Sequence, residues 1–290
     1  MNSTFLMKRP LRAAVRGLQR ILPAKAFNAL YVAAYPAYKG IVRWAYLLIG
    51  FGMYRWSNSA KWRMVREVHR AMPHSLVGIG GLEATYLLAK GVNDRGLEGD
   101  FVELGVARGG CAALLGSTIF SAGRPETAEP RRLLLFDSFE GLPDPTNEDF
   151  AGDPDSPRTG EHVTRLTRGS CLGTLEDVRD LLLNKYGFPE SGIQLVKGWF
   201  QNTVPAAARR ISQIALLRID GDWYESTKIC LNHLYDRVVD GGVVIIDDYQ
   251  SCYGCERAVD EFIRERRLQV EMRFDGRGGC YFLKRAQGGS

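Results

Sequence analysis

Four carboxylates stand in two short runs toward the C-terminal end of this 290-residue chain. Leu216-Leu217-Arg218-Ile219-Asp220-Gly221-Asp222 and Gly242-Val243-Val244-Ile245-Ile246-Asp247-Asp248 are each an apolar stretch ending in acids. Such a stretch, bounded by Gly and Asp, predicts a strand buried in a parallel sheet. In open α/β sheets ligands gather outside the carboxyl ends of the strands, so Asp220, Asp222, Asp247 and Asp248 are expected to crowd one region. Like charges at such density repel unless something positive lies among them. A divalent cation on oxygen ligands, Mg²⁺ first, is the economical answer. The alternative, that these residues cap the following helices, accounts for one Asp per strand end, not two.

A second constellation begins at Gly99. Gly99-Asp100-Phe101-Val102-Glu103-Leu104-Gly105 reads as a strand, Val106-Ala107-Arg108-Gly109-Gly110 as a glycine turn, and Cys111 to Phe120 as a helix. Strand, glycine turn and helix together form a nucleotide-site geometry: the glycines let the backbone approach a ligand, and the helix N-terminus offers free N–H groups to an anion. The dinucleotide fingerprint fails, because it requires Gly where Ala107 stands. Glu103 at the strand end with Gly105 after it fits an S-adenosylmethionine site better, with the helix N-terminus facing the methionine carboxylate and the acid within reach of the amino end. A nicotinamide oxidoreductase is excluded on the same spacing.

The elements that must position these groups follow in order. Arg132–Asp137 reads as a second strand; the acid at its end, Asp137, is placed where such sheets bind ribose hydroxyls, with a turn cap as the alternative, and Ser138 is taken with it as a cofactor contact. Residues 144–161 are polar and rich in Asp and Pro, the composition of a lid or a disordered segment; His162 at its end is ordinary polar surface unless it acts as a base. Leu175–Tyr186 reads as a helix, 193–196 as a third strand, and Lys197-Gly198-Trp199-Phe200 as a turn whose Gly198 and Trp199 border the adenine. Pro205–Arg210 is expected to connect to the next strand, Asp240-Gly241-Gly242 to form a tight turn, Cys255–Arg267 a helix, and the chain to close with strands near Val270–Phe274 and Cys280–Lys284. One of these last is expected to run antiparallel within the sheet. The fold class is therefore α/β: a Rossmann-like class I methyltransferase sheet with helices on both faces, plus a helical N-terminal extension.

Charge divides the chain at residue 70. Residues 1–70 carry thirteen Lys/Arg and one acid, Glu67, whereas the remainder carries 25 basic and 32 acidic residues. Residues 8–22 alternate at helical period, with Leu11, Val15, Leu18 and Leu22 on one face and Arg12, Arg16 and Arg20 on another, either an interfacial membrane helix or a helix packed on the body. Residues 26–56 are apolar and aromatic, and suit a membrane interface, a cover over a substrate cleft, or a subunit contact. Ile41–Met53 is too short for a span, which needs about 20 apolar residues, Pro36 and Lys39 interrupt its N-terminal side, and no secretory cleavage signal is evident. Gly78–Gly81 reads as a turn and Leu82–Asn93 as a helix. The division is 1–70, a basic, aromatic helical extension, and 71–290, the methyltransferase domain. Six cysteines show no disulfide or zinc spacing; Cys252 and Cys255 form a CxxC, read as reduced thiols. The expected setting is cytoplasmic, peripheral on the inner face of the membrane through the arm, with a homo-oligomer as a further possibility. Nucleic acid is not an expected partner, since the acidic cleft would repel phosphate.

Five motifs in order resemble those of the macrocin O-methyltransferase (TylF/MycF-like) family: Phe101-Val102-Glu103-Leu104-Gly105-Val106, Phe136-Asp137-Ser138-Phe139-Glu140-Gly141-Leu142-Pro143, Lys197-Gly198-Trp199-Phe200, Asp220-Gly221-Asp222-Trp223-Tyr224-Glu225-Ser226-Thr227 and Asp247-Asp248-Tyr249. The resemblance covers about residues 75–285 and implies methylation of a hydroxyl, dependent on S-adenosylmethionine and Mg²⁺, often on a sugar of a glycosylated natural product. It implies Asp220, Asp247 and Asp248 as metal ligands, Asp222 as general base, and Glu103, Gly105 and Asp137 as cofactor contacts, joined by Gly109 and Gly110 of the glycine turn. The basic arm lies outside it and keeps a membrane-borne glycolipid acceptor in view. The competing expectation is a non-catalytic membrane-surface protein on the same fold; the intact acid set argues against it.

Overall fold

The structure is a computed structural model and describes residues 23–120, 130–150 and 166–285. The amphipathic stretch 8–22, most of the expected lid and His162 lie outside the described residues. The chain divides into two units, one up to Val65 and one from Arg66 onward.

In the first unit, α1 (Ala24–Tyr54) runs unbroken through Pro36. Asn58 caps the start of α2 (Ser59–Ala71), its Oδ1 accepting from the Lys61 amide at 2.9 Å. The two helices meet where Gly50 has no side chain; a Cβ there would stand 2.5 Å from Val65. No helix among the described residues is long and apolar enough to cross a membrane.

The second unit is built on a seven-stranded sheet: β1 (Asp100–Leu104), β2 (Leu133–Asp137), β3 (Ile193–Lys197), β4 (Ile214–Ile219), β5 (Val238–Ile246), β6 (Arg273–Phe274) and β7 (Cys280–Leu283). Their order is β3-β2-β1-β4-β5-β7-β6. The first five are parallel, and β7 inserts antiparallel between β5 and β6, as the closing strand pair predicted. Strand residues alternate between two cores. Val102, Leu104, Leu217, Ile219, Val244 and Ile246 pack with Val204 of α6 (Phe200–Ala208), Leu231 of α7 (Tyr224–Leu234) and Phe262 of α8 (Tyr253–Glu265). Phe101, Leu133, Leu135, Leu216, Val243 and Ile245 pack on the other face with α3 (Ile79–Asp94), α4 (Gly110–Phe120) and α5 (Leu175–Arg179, continued by a wider turn to Lys185). This is a class I methyltransferase sheet with helices on both faces.

Several boundaries differ from the local reading. Gly80 and Gly81 lie inside α3 instead of a turn, because Gly81 lets the helix approach Val77 and the Arg277 side chain, which a Cβ would meet at 2.6 and 3.2 Å. α6 passes through Pro205, where a connection was expected. Residues 240–242 belong to β5, where the register against β4 shifts between Ile214 and Leu216 and β5 carries three more residues than its partner, with Gly241 at φ +73°.

Candidate active site

Order reverses between β1 and β4, which neighbour each other while their chain continuations run to opposite edges. Crevices at such a switch point, outside the strand ends, are where these sheets bind ligands. A cavity of about 460 Å³ opens there, walled by Glu103, Gly105, Asp137, Asp220, Asp222, Asp247 and Asp248 among others. The predicted crowding of the four aspartates is therefore real.

What lies between them is first of all protein. Arg218, wholly buried on β4, stands opposite Glu103 of β1 in the sheet register. Its Nη1 donates to Glu103 Oε1 at 3.1 Å and to Asp220 Oδ2 at 2.8 Å, and its Nη2 to Asp247 Oδ1 at 2.7 Å. Arg277 bonds the other oxygen of Asp247. It is presented by a turn in which Asp275 Oδ1 accepts from the amides of Arg277, Gly278 and Gly279. Repulsion among the acids thus has a cationic answer within the chain itself. The signal for it, a lone Arg inside an apolar strand, was visible in the sequence but went unread.

Two guanidiniums do not neutralise the whole set. Burial and then the charges of Asp222, Asp220 and Asp247 push Asp248 well above the ordinary carboxylate range. Burial, Asp220 and Asp247 push Asp222 up to about 8, against Arg277. Burial pushes Glu103 up to about 8, against Arg218. Burial also disfavours the charge of Asp247, but Arg218 and Arg277 outweigh it and hold that carboxyl low. Asp220, Asp247 and Asp248 each bring an oxygen within 4.8 Å of the others, and Asp248 Oδ2 is buried with no hydrogen-bond partner among the described residues. An all-carboxylate oxygen set of this kind suits a hard divalent cation.

Backbone strain concentrates at the same place. Five described non-glycine residues have positive φ: Ala107, Cys171 and Asp222 (45°, 61° and 56°) line the cavity, Phe139 (54°) follows the cavity residue Ser138, and Arg267 (49°) lies apart, beyond the end of α8. Each such conformation costs of order 1–3 kcal/mol and persists where surroundings hold it. Asp222 sits at the β4–α7 turn with Cys252 Sγ 3.9 Å from its Oδ1.

Asp137 staples the glycine turn. Its Oδ2 accepts from the Val106 and Ala107 amides at 2.7 and 3.0 Å, and its Oδ1 from the Phe139 amide at 2.7 Å. Its carboxylate faces the cavity and fixes the loop at once, so the turn-cap alternative describes part of what it does. Ser138 lines the cavity, but its hydroxyl is engaged in its own turn, donating to Gly141 O at 2.9 Å. Gly105, Gly110 and Trp199 line the cavity as expected. Gly109 and Gly198 do not: they stand outside its lining at φ +84° and +138°, where a Cβ would meet Leu181 and Thr203. Their positive φ and close neighbours shape the turns that carry Gly110 and Trp199.

Asp149 lies in the segment whose composition reads as a polar loop. It is buried, its Oδ1 accepts from the Tyr224 amide at 2.7 Å at the start of α7, and its Oδ2 closes a capping box with Thr146. The spacing of Thr146 and Asp149 was the available signal. Cys252 and Cys255 are buried free thiols at the start of α8.

The family profile for macrocin-O-methyltransferase (TylF) matches residues 53–284. The chain belongs to this TylF family. It is 34% identical over 223 residues to the demethyldecarbamoylnovobiocin O-methyltransferase of Streptomyces niveus, covering 76% of this chain and 80% of that protein. It is 29% identical over 222 residues to the mycinamicin III 3''-O-methyltransferase of Micromonospora griseorubida, covering 76% and 82%. The solved structure of the O-methyltransferase NovP superposes with TM-score 0.61 at 33% identity, covering 73% of this chain and 82% of that one. As a TylF-family protein the chain is an O-methyltransferase, with S-adenosylmethionine as its methyl donor. Glu103 Oε2, buried and without a hydrogen-bond partner on the cavity wall, is an acceptor fit for a donor's ammonium group.

Proposed function

We propose that this enzyme methylates a sugar hydroxyl of a glycosylated small molecule, with Asp222 as the base that takes the hydroxyl proton. The observation that carries the reading is the setting of Asp222, a buried carboxyl at a left-handed turn, beside the Asp220, Asp247 and Asp248 set and open to the same cavity. A carboxyl whose pKa is raised toward the working pH is a more effective proton acceptor than one left at its ordinary value. S-adenosylmethionine would supply an electrophilic methyl on its sulfonium sulfur; Asp222 would take the hydroxyl proton as the new O–C bond forms and the C–S bond breaks, with S-adenosylhomocysteine as the leaving group.

Asp220, Asp247 and Asp248 would hold a divalent cation, Mg²⁺ in our reading, whose charge lowers the pKa of a nearby hydroxyl. Glu103 would hold the donor's amino group, Asp137 the ribose hydroxyls, and Trp199 and Ser138 the nucleoside, while Gly105 and Gly110 would allow close backbone approach. Leu142, Pro143, Phe200 and Trp223 give the cavity apolar walls that suit an aglycone and exclude water from the reacting groups. Methyl transfer belongs to residues 71–290, and residues 1–70 serve another purpose.

The acceptor class follows from the relatives, which are named for O-methylation of demethyldecarbamoylnovobiocin, mycinamicin III and a dimethoxyrhamnosyl tetracenomycin. A glycolipid is the second form such an acceptor can take, favoured by the thirteen Lys/Arg of residues 1–70. Nothing supports the non-catalytic alternative. The test is calorimetric titration with S-adenosylhomocysteine, with and without Mg²⁺, followed by mass-spectrometric screening of glycosides for gain of one methyl. Micromolar binding weakened in Asp137→Ala, with Mg²⁺-stimulated methylation of a glycoside, is expected. Methylation of glycosides that proceeds equally in Asp222→Asn removes the assigned base.

A further inference from the structure

We propose that the exposed apolar face of α1 docks the enzyme on an anionic lipid surface. Ile41, Trp44, Leu48 and Phe51 are 68%, 56%, 67% and 46% exposed. Their spacing of three and four residues sets them on one side of the helix. Trp56, 84% exposed, lies just beyond the helix end. Large apolar side chains gathered on one exposed face mark an interaction surface.

The polar dress of this face selects the partner. Cations stand over its aromatic rings: Arg43 over Trp44 at 5.9 Å, Arg55 over Trp56 at 4.7 Å and Lys61 over Tyr54 at 5.3 Å. Trp and Tyr with Lys and Arg beside exposed Ile and Leu is the composition of helices that lie in a headgroup region. α1 contains no Asp or Glu, and Glu67 is the single acid against thirteen Lys/Arg in residues 1–70. A second copy of the chain would set this cationic segment against itself, whereas anionic headgroups complement it. The helix lies on the surface, since it is not apolar enough to span. The proposal is independent of the acceptor's identity, which makes its failure separable from that of the proposed reaction.

The test is co-sedimentation of the full-length protein with vesicles of phosphatidylcholine alone and of phosphatidylcholine mixed with phosphatidylglycerol, at low and high salt. Wild type is compared with Ile41→Glu/Leu48→Glu and with the milder Leu48→Ser. All these positions are exposed, and circular dichroism with S-adenosylhomocysteine binding checks that each variant is folded. Expected are preferential partition onto the phosphatidylglycerol vesicles that salt weakens, and a loss of about tenfold or more in the double variant, with a smaller loss in Leu48→Ser. Equal partition onto both vesicle types, or folded variants that bind like wild type, would overturn the proposal. So would a lipid-free dimer in sedimentation velocity that the double variant converts to monomer, since the face would then be a subunit contact.

Discussion

Arg218 Nη1 lies 3.1 Å from Glu103 Oε1 across the β1–β4 boundary, and neither side chain is more than 1% exposed. The same guanidinium reaches Asp220 and Asp247, so one cation at the strand switch point ties the acid read as a donor contact to two acids read as metal ligands. The crowding of carboxylates is tolerated in the fold before any ion arrives, and the positions of those oxygens are fixed by the protein.

Removing that guanidinium takes the cation from Glu103 and Asp220 and leaves Asp247 with Arg277 alone. Breaking a buried pair by deleting one partner typically costs about 3–5 kcal/mol. Arg218→Leu should lower stability by that amount in urea titration, with Arg218→Lys intermediate because an ammonium does not make the same fork of bonds. Mg²⁺ should restore part of the loss. A Leu variant within about 1 kcal/mol of wild type would mean the cluster does not depend on Arg218.

Asp222→Asn keeps the shape and tolerates the left-handed turn, since Asn accepts positive φ readily. If the residue takes the proton, kcat should fall by about 10²–10⁴ while S-adenosylhomocysteine affinity stays near wild type. A comparable fall in affinity with little change in kcat would place Asp222 in binding and not in proton transfer.

The pH dependence of the same group has a definite sign. Burial, then Asp220 and Asp247, raise the folded-state pKa of Asp222 from 3.8 to about 8 in the cation-free site. The folded protein therefore holds this proton more tightly than the unfolded chain does. Its contribution to stability is full below pH 3.8 and lost as pH rises through about 8. Asp222→Asn cannot ionise, so it should gain thermal stability over wild type progressively as pH rises across that window. In activity, the wild-type rate should climb as the carboxyl ionises, and Mg²⁺, by offsetting the neighbouring charges, should move that limb to lower pH. A limb indifferent to Mg²⁺ would assign it to another group.

Gly105 is held by the close approach of two strands. A Cβ there would stand 1.7 Å from the Asp220 carbonyl oxygen, at φ +89°. Gly105→Ala should cost more than about 4 kcal/mol or prevent folding. Gly96, also at positive φ (+65°) but with open space around its Cβ direction, should lose only about 1 kcal/mol on conversion to Ala. Comparing the two in denaturant titrations separates steric exclusion from backbone strain. Equal losses would mean that strain alone governs Gly105.

Local patterns made much of this enzyme legible. Apolar runs bounded by Gly and Asp located β1, β2, β4 and β5, and because carboxylates closed the β4 and β5 runs, the acidic crevice followed from parallel-sheet geometry. The strand, glycine turn and helix around Glu103 were legible as such, and the final strand pair foretold the antiparallel insertion of β7. The limits were equally specific. Pro205 argued for a connecting segment where the chain folds as a continuous helix. What makes Gly109 and Gly198 glycine is absent from the sequence; it lies in φ and in what a Cβ would strike.

By itself the sequence determined the order and type of the elements and which strand ends carry acids, since each depends on residues within a few positions of one another. Only the tertiary structure decided what those acids meet. Arg218 and Glu103 are 115 residues apart, Arg218 and Asp247 are 29 apart, and Asp149 reaches Tyr224 across 75. These partnerships are set by sheet register and by the packing of distant segments around one crevice. The raised carboxyl of Asp222 and the partnerless oxygens of Glu103 and Asp248 are consequences of burial that no local pattern encodes.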